Sequence, residues 1–225
     1  MTKAPAGRPV HTYSGAKKAE TVLQRKGNRM TEKLAQILAA REQRMLRIRQ
    51  ALLDYPDTFL VSVKLNIPGP EKVSELTPQL LQIATTCLEQ RLNLAKIDII
   101  HSDKKTTTAG EEALYILAPK NEAEDPFRRR LRQKIKLMLI EIEDSDPLGR
   151  LFDLDLWQGH SQVKRSELGL PPRRCLLCEE AAVICAREQR HTLSELKQSI
   201  NLLLQSDPRI CHTNMPCSGE LQGSE

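Results

Sequence analysis

Apolar residues Leu34, Ile37, Leu38, Met45, Ile48 and Leu52 recur at helical spacing between Thr31, a residue suited to an N-cap, and the Tyr55-Pro56 break. This predicts a first helix. Phe59 to Leu65 is rich in β-formers and ends at Ile67-Pro68-Gly69-Pro70, where two prolines remove backbone donors, so a strand runs into a rigid loop. Thr77-Pro78 opens a second amphipathic helix to about Leu94, followed by short strands near Ile97–Ile100 and Ala113–Leu117, with residues 102–110 as the loop between them. Phe127 to Glu141 fits helix or strand, and helix is preferred. From Arg150 to Trp157 apolar and polar residues alternate, as in a strand with one wet face, and that face carries Asp153 and Asp155. A loop through Pro171-Pro172 leads to a Cys- and Ala-rich helix, and Thr192-Leu193-Ser194-Glu195 is a capping box for a last helix through Leu204.

These elements predict one mixed α/β (α+β) domain, a central sheet flanked by helices, over residues 31–206. Residues 1–30 combine Gly, Pro and Lys with little apolar periodicity and are expected to be a disordered basic tail; residues 207–225 are expected to be a flexible C-terminal tail. Charge sharpens that division. The first 30 residues hold seven Lys or Arg against one Glu, so the formal net charge of +5 leaves the rest of the chain slightly acidic. A generally basic body for tracking nucleic acid is not encoded, although Arg128–Lys136 packs six basic residues into nine. No apolar run approaches the roughly 20 residues of a membrane span, and no apolar stretch near the N-terminus suits a signal peptide. A cytoplasmic setting with reduced cysteines is the expectation.

Asp153 and Asp155, two apart on a strand, leave the same face and are spaced to share Mg²⁺. Alone, Asp-x-Asp is more often a pair of solvated carboxylates. Gly149 permits a turn with close backbone approach to a phosphate, and Arg150 offers a planar fork for phosphate oxygens. Arg173 and Arg174 follow two stiffening prolines and form a candidate triphosphate clamp; Arg41 and Arg44 share one helical face and could meet phosphate or an acidic partner. Each has a plainer reading as a solvated surface charge. Cys175, Cys178, Cys185 and His191 are zinc-ligand types. A continuous helix over 178–190 would hold the Cys178 and Cys185 backbones about 10 Å apart, so a small buried helical face is the preferred reading.

Three stretches taken together are more specific: Asp146-Pro147-Leu148-Gly149-Arg150-Leu151-Phe152-Asp153-Leu154-Asp155, Leu170-Pro171-Pro172-Arg173-Arg174-Cys175-Leu176-Leu177-Cys178-Glu179, and Cys185-Ala186-Arg187 with His191. With Arg41-Glu42-x-Arg44 and Asn66-Ile67-Pro68-Gly69-Pro70-x-Lys72 upstream, they resemble the holo-citrate lyase synthases, also called apo-citrate lyase phosphoribosyl-dephospho-CoA transferases, over roughly residues 34–205. The family often carries His before Pro147, where this chain has Asp146.

The resemblance implies nucleotidyl transfer. A serine of the citrate lyase acyl carrier protein attacks the innermost phosphorus of 2'-(5''-triphosphoribosyl)-3'-dephospho-CoA, and pyrophosphate leaves. Asp153 and Asp155 would be Mg²⁺ ligands and catalytic, and Gly149, Arg150, Arg173, Arg174, Arg41 and Arg44 would bind the donor. By charge complementarity Arg128–Lys136 could dock an acidic carrier protein, although such charge runs are more often merely solvated. Glu143 and Asp144 lie near enough in sequence to be general-base candidates, with nothing in the spacing to choose between them or to exclude a metal-bound hydroxyl. No fused cofactor-making enzyme is seen, so the transfer step alone is expected. The rival readings are a non-enzymatic zinc-knuckle interaction module and the same chemistry on another lyase's carrier protein.

Overall fold

The computed structural model describes residues 15–118 and 125–210, with side chains for 29–118 and 126–210. Among the described residues, five strands form one antiparallel sheet: β1 (Phe59–Leu65), β2 (Asp98–Thr107), β3 (Gly110–Ala118), β4 (Phe152–Gln158) and β5 (Ser161–Val163), in the order β2-β3-β1-β4-β5. The main helices are α1 (Gly15–Asp54), α2 (Thr77–Leu94), α3 (Asp125–Ser145), α4 (Ala182–Glu188) and α5 (Leu193–Ser206), with short 3₁₀ turns at Gly149–Leu151 and Arg165–Leu168.

The period-two alternation of the strands sorts their side chains onto two faces. Phe59, Val61, Val63, Ala113, Tyr115, Leu117, Leu154 and Leu156 point into the main core, against α2 through Leu80, Ala84, Leu88 and Leu92 and against α3 through Ile135, Leu139 and Ile142. Each such leucine or isoleucine contributes roughly 1.5–3 kcal/mol by leaving water. α1 covers the opposite face, where Ile48 packs on Leu60, Leu114 and Ile116 beside Trp157 and Tyr55. The result is three layers, with the sheet in the middle.

Several boundaries differ from the sequence expectation. α1 starts at Gly15, so Thr31 lies inside a helix and half of the segment expected to be a disordered tail is helical. Residues 16–26 are mostly Ala, Lys, Glu, Gln, Leu and Arg, all strong helix formers, which local propensity explains. Residues 1–14 lie outside the described residues. Along α1, Ile37 and Ile48 turn inward while Leu34 and Leu38 are exposed. The expected loop at 102–110 is mostly hairpin: β2 continues to Thr107 and pairs with β3. β2 is an edge strand exposed along nearly its whole length, so it lacks the apolar alternation that marks buried strands. The expected C-terminal tail begins too early, since Asp207 and Ile210 are buried; residues 211–225 lie outside the described residues. α3 adopts the preferred helical form, and Thr192 and Glu195 close the foreseen capping box of α5.

Gly149 joins α3 to β4 in a way the sequence did not suggest. A Cβ built there would lie 2.4 Å from the Ile142 carbonyl oxygen and 2.6 Å from that of Glu143. The absence of a side chain therefore lets the 3₁₀ turn lie against the last turns of α3, a packing role for this glycine that the sequence did not indicate. Gly149→Ala should cost about 1–3 kcal/mol through backbone displacement, read as a lower urea midpoint with an unchanged slope.

Candidate active site

Along the α1 face of the sheet, three rows of paired residues run from apolar to charged. Leu60 lies opposite Ile116 and Trp157, then Ser62 opposite Leu114 and Asp155, then Lys64 opposite Glu112 and Asp153. α1 follows the same gradient, with Ile48, Ala51 and Leu52 over the apolar row and Arg44 and Arg47 over the charged one. Strand register and helix periodicity thus place acids and bases together at one end of a covered face.

Lys64 Nζ stands between the two aspartates, 2.5 Å from Asp153 Oδ2 and 2.6 Å from Asp155 Oδ2. Gln162 on β5 donates to the other Asp155 oxygen at 2.5 Å. Burial opposes the charge on Lys64, but Asp155 and Asp153 outweigh it and hold the ammonium above its ordinary value. Burial likewise opposes ionisation of Asp153, while Lys64, then Arg173 and Arg44, keep its carboxyl below the usual carboxylate value. Lys136, 4% exposed on α3, also feels both aspartates and Glu143; burial pushes its ammonium down. At neutral pH Asp153 is charged and Lys64 protonated.

Arg44 donates to Glu112 at 3.2 Å and lies in the field of Asp153 and Asp155, whereas Arg47 bridges Glu112 and Asp103. Arg41 is exposed on α1 and sits near enough to Lys72 to help burial lower that ammonium, whose Nζ donates to the Ile67 carbonyl. Lys64, Arg47 and Glu112 were not singled out from sequence. Only the alternation through Leu60, Ser62 and Lys64 hinted at Lys64, and its partners depend on strand register.

β5 pairs with β4 only from Leu156 onward, so the outer edge around Asp153 lacks a neighbouring strand. Glu143 fills that gap: its Oε1 accepts the Leu154 N–H at 2.8 Å, and its Oε2 accepts from Arg165 at 2.7 Å. Its carboxylate is nearly buried and also lies 3.8 Å from Arg173. Asp144 is held by the same Arg165 guanidinium at 3.0 Å. Both general-base candidates are thus ion-paired with Arg165, and Glu143 also holds β4.

Arg173 donates to the Gly149 and Arg150 carbonyls at 3.1 and 2.7 Å, and Arg150 donates to the Cys175 carbonyl. Arg174 points away, 63% exposed, and pairs with Glu179. The structure therefore brings Arg173 towards Asp153 and does not bring Arg174 with it, because consecutive residues of an extended segment face opposite ways. The basic run on α3 divides similarly: Arg128 pairs with Asp57, Arg132 with Glu167, and Lys136 is buried, so the six cations do not make one docking patch.

The expected helix through residues 178–190 is also corrected. α4 starts only at Ala182, and the chain before it turns back through Cys175 N–H to the Glu180 carbonyl at 2.7 Å and Ala182 N–H to the Arg173 carbonyl at 2.8 Å. With the helix shortened, the ligand atoms of Cys175, Cys178, Cys185 and His191 all lie within 4.8 Å of one another. The distance objection drawn from a continuous helix does not apply.

Asp146, in the place where the resembled family often has His, has a structural role. Its carboxylate accepts the Leu148 N–H at 2.8 Å and both terminal nitrogens of Arg209 at 2.7 and 2.8 Å, and Arg209 also binds Asp207 at 2.6 Å. Burial opposes ionisation of Asp146, yet Arg209 and Leu148 hold it below its ordinary value; Arg209 does the same to Asp207. Groups depressed in this way contribute stability that is complete above the unfolded value of about 3.9 and lost as pH falls through the folded one. The urea midpoint should hold from pH 7 to 5 and fall below about pH 4. Arg209→Met should cost about 1 kcal/mol at pH 7 after solvent screening and flatten that acid limb.

The fold and site define an α+β domain that sets two carboxylates among ammonium and guanidinium groups, a surrounding suited to a polyanion. The sequence profile of the apo-citrate lyase phosphoribosyl-dephospho-CoA transferases matches residues 32–207. A probable apo-citrate lyase phosphoribosyl-dephospho-CoA transferase from Streptococcus pyogenes is 36% identical over 178 residues, spanning 77% of this chain and 85% of that protein. The apo-citrate lyase phosphoribosyl-dephospho-CoA transferases of Shigella flexneri and Escherichia coli are each 33% identical over 183 residues, spanning 80% of this chain and 92% of theirs. The chain belongs to this family.

Proposed function

We propose that this chain transfers phosphoribosyl-dephospho-CoA from 2'-(5''-triphosphoribosyl)-3'-dephospho-CoA to a serine of the apo citrate lyase acyl carrier protein. Family membership over residues 32–207 carries this reading, and the Asp153–Lys64–Asp155 arrangement supports it. A non-enzymatic zinc-knuckle module is not favoured by that membership. In the reaction the serine oxygen forms a bond to the innermost phosphorus, the bond from that phosphorus to the bridging oxygen breaks, and pyrophosphate leaves. The serine proton passes to solvent or to a base outside Glu143 and Asp144, which are already engaged.

Catalysis of this kind is mostly positioning and charge stabilisation. Asp153 and Asp155 turn oxygens to a common point where Lys64 Nζ touches both, so the pair can share one cation; two carboxylate oxygens suit Mg²⁺, which would take that point in place of the ammonium. Mg²⁺ there would neutralise phosphate charge and help fix in-line geometry. Lys64, Arg44 and Arg173 add positive charge around the aspartates, and Arg41 and Lys72 extend it along α1 and the loop after β1. Glu143 keeps the β4 edge in place, and Gln162 orients Asp155. No helix among the described residues is long and apolar enough to cross a membrane; a cytoplasmic location, where the carrier protein is accessible and thiols stay reduced, is part of the same proposal.

The test incubates the purified chain with the triphosphoribosyl donor, Mg²⁺ and apo carrier protein, alongside the Escherichia coli relative as a control for competent substrates. A carrier mass gain equal to the prosthetic group, matched by released pyrophosphate, is expected. No gain while the control reacts would overturn the proposal, and modification of only another lyase's carrier would reassign the acceptor.

A further inference from the structure

Cys175, Cys178, Cys185 and His191 belong to no step of the proposed transfer, yet three sulfurs and a ring nitrogen converge from three separate stretches of chain. Cys178 Sγ lies 3.5 Å from Cys185 Sγ and 3.3 Å from His191 Nε2. Zinc with ligands at about 2.0–2.3 Å in a tetrahedron places neighbouring ligand atoms about 3.3–3.8 Å apart, close to these spacings. A disulfide would require about 2.05 Å and would use only two of the four groups. Backbone N–H groups of Leu177 and Cys178 also point at Cys175 Sγ and fix its direction. Cys175 and Cys185 are buried, and Cys178 and His191 are partly so.

We propose that these four residues bind one Zn²⁺ in a closed Cys₃His site that fastens the 173–191 segment beside β4. With all four positions supplied by protein, the ion has a structural role and no open position for substrate. The three thiol protons leave to solvent as the metal binds. The site connects to the aspartate strand by a short path: the Cys175 carbonyl accepts from Arg150, and Arg173, two residues before Cys175, donates to the Gly149 and Arg150 carbonyls just ahead of β4. On its other side, Asn66 and Pro68 of the loop after β1 border the same pocket, which is about 270 Å³ in volume. Zinc would thereby fix Arg173 relative to Asp153. The metal assignment does not depend on the transferase reading, because it rests on ligand geometry alone.

The full chain, purified under reducing conditions without added metal, should contain about one zinc per molecule by mass spectrometric metal analysis. Cys178→Ser and His191→Asn should each lower that content at least several-fold, while Cys87→Ser, remote from the cluster, should leave it unchanged. Should the cluster variants fail to fold, the wild-type chain grown in Co²⁺ decides the matter: sulfur-to-cobalt charge-transfer absorption with strong visible bands of a tetrahedral ion is expected. A wild-type chain with neither zinc nor that cobalt spectrum would overturn the proposal. So would zinc kept in full by both cluster variants, or a Cys178–Cys185 disulfide in the chain isolated from cells.

Discussion

Asp153→Asn and Asp155→Asn should each lower pyrophosphate release by about 10³-fold or more, equivalent to roughly 4 kcal/mol of transition-state stabilisation. Each change keeps the shape of the side chain and removes one charge from a face that holds Lys64, Arg44 and Arg173 nearby. Folding should survive, because Lys64 keeps the other aspartate and the opposite side of β4 remains packed through Leu154 and Leu156. The circular dichroism spectrum and urea midpoint should stay close to wild type. A further expected sign is that any residual activity requires more Mg²⁺ for half-saturation, which a general loss of folded protein would not produce. Full turnover in either variant would remove the assigned role.

The aspartate pair was legible in sequence because a strand's period of two is a local property: Asp153 and Asp155 must leave the same face wherever the strand lies. Their cation was not legible. Lys64 lies about ninety positions away and reaches them only through the β1–β4 register, which local patterning does not specify. The same limit explains Glu143, whose neighbourhood to the motif was noted but whose bond to Leu154 depends on where α3 docks. The cysteine cluster illustrates the reverse problem. Its residue types were recognised, but an assumed helix through Cys178 separated ligands that the turn before Ala182 brings together. Helix boundaries near Ala-rich stretches are set by tertiary contacts as much as by propensity.

Glu143→Ala should be the most destabilising single change near the site, at about 3–5 kcal/mol. Three demands meet on that carboxylate: the Leu154 N–H has no neighbouring strand there, Arg165 donates to it at 2.7 Å, and Arg173 approaches it. Truncation leaves a buried donor unsatisfied, removes the carboxylate nearest Arg173 and leaves Arg165 with Asp144 alone as its counter-charge. Glu143→Gln should be milder. Its amide oxygen can still accept from Leu154, so the strand edge is retained while the charge is lost. The pair of variants separates a positioning residue from a general base. If Glu143 accepted the serine proton, Gln and Ala would lose turnover alike and the acid limb of the pH–rate profile would change. If it positions β4, Glu143→Gln should keep most of the turnover and the wild-type profile, and Glu143→Ala should lose stability and activity together. Equal, near-complete inactivity in a stably folded Glu143→Gln would return this residue to the chemistry.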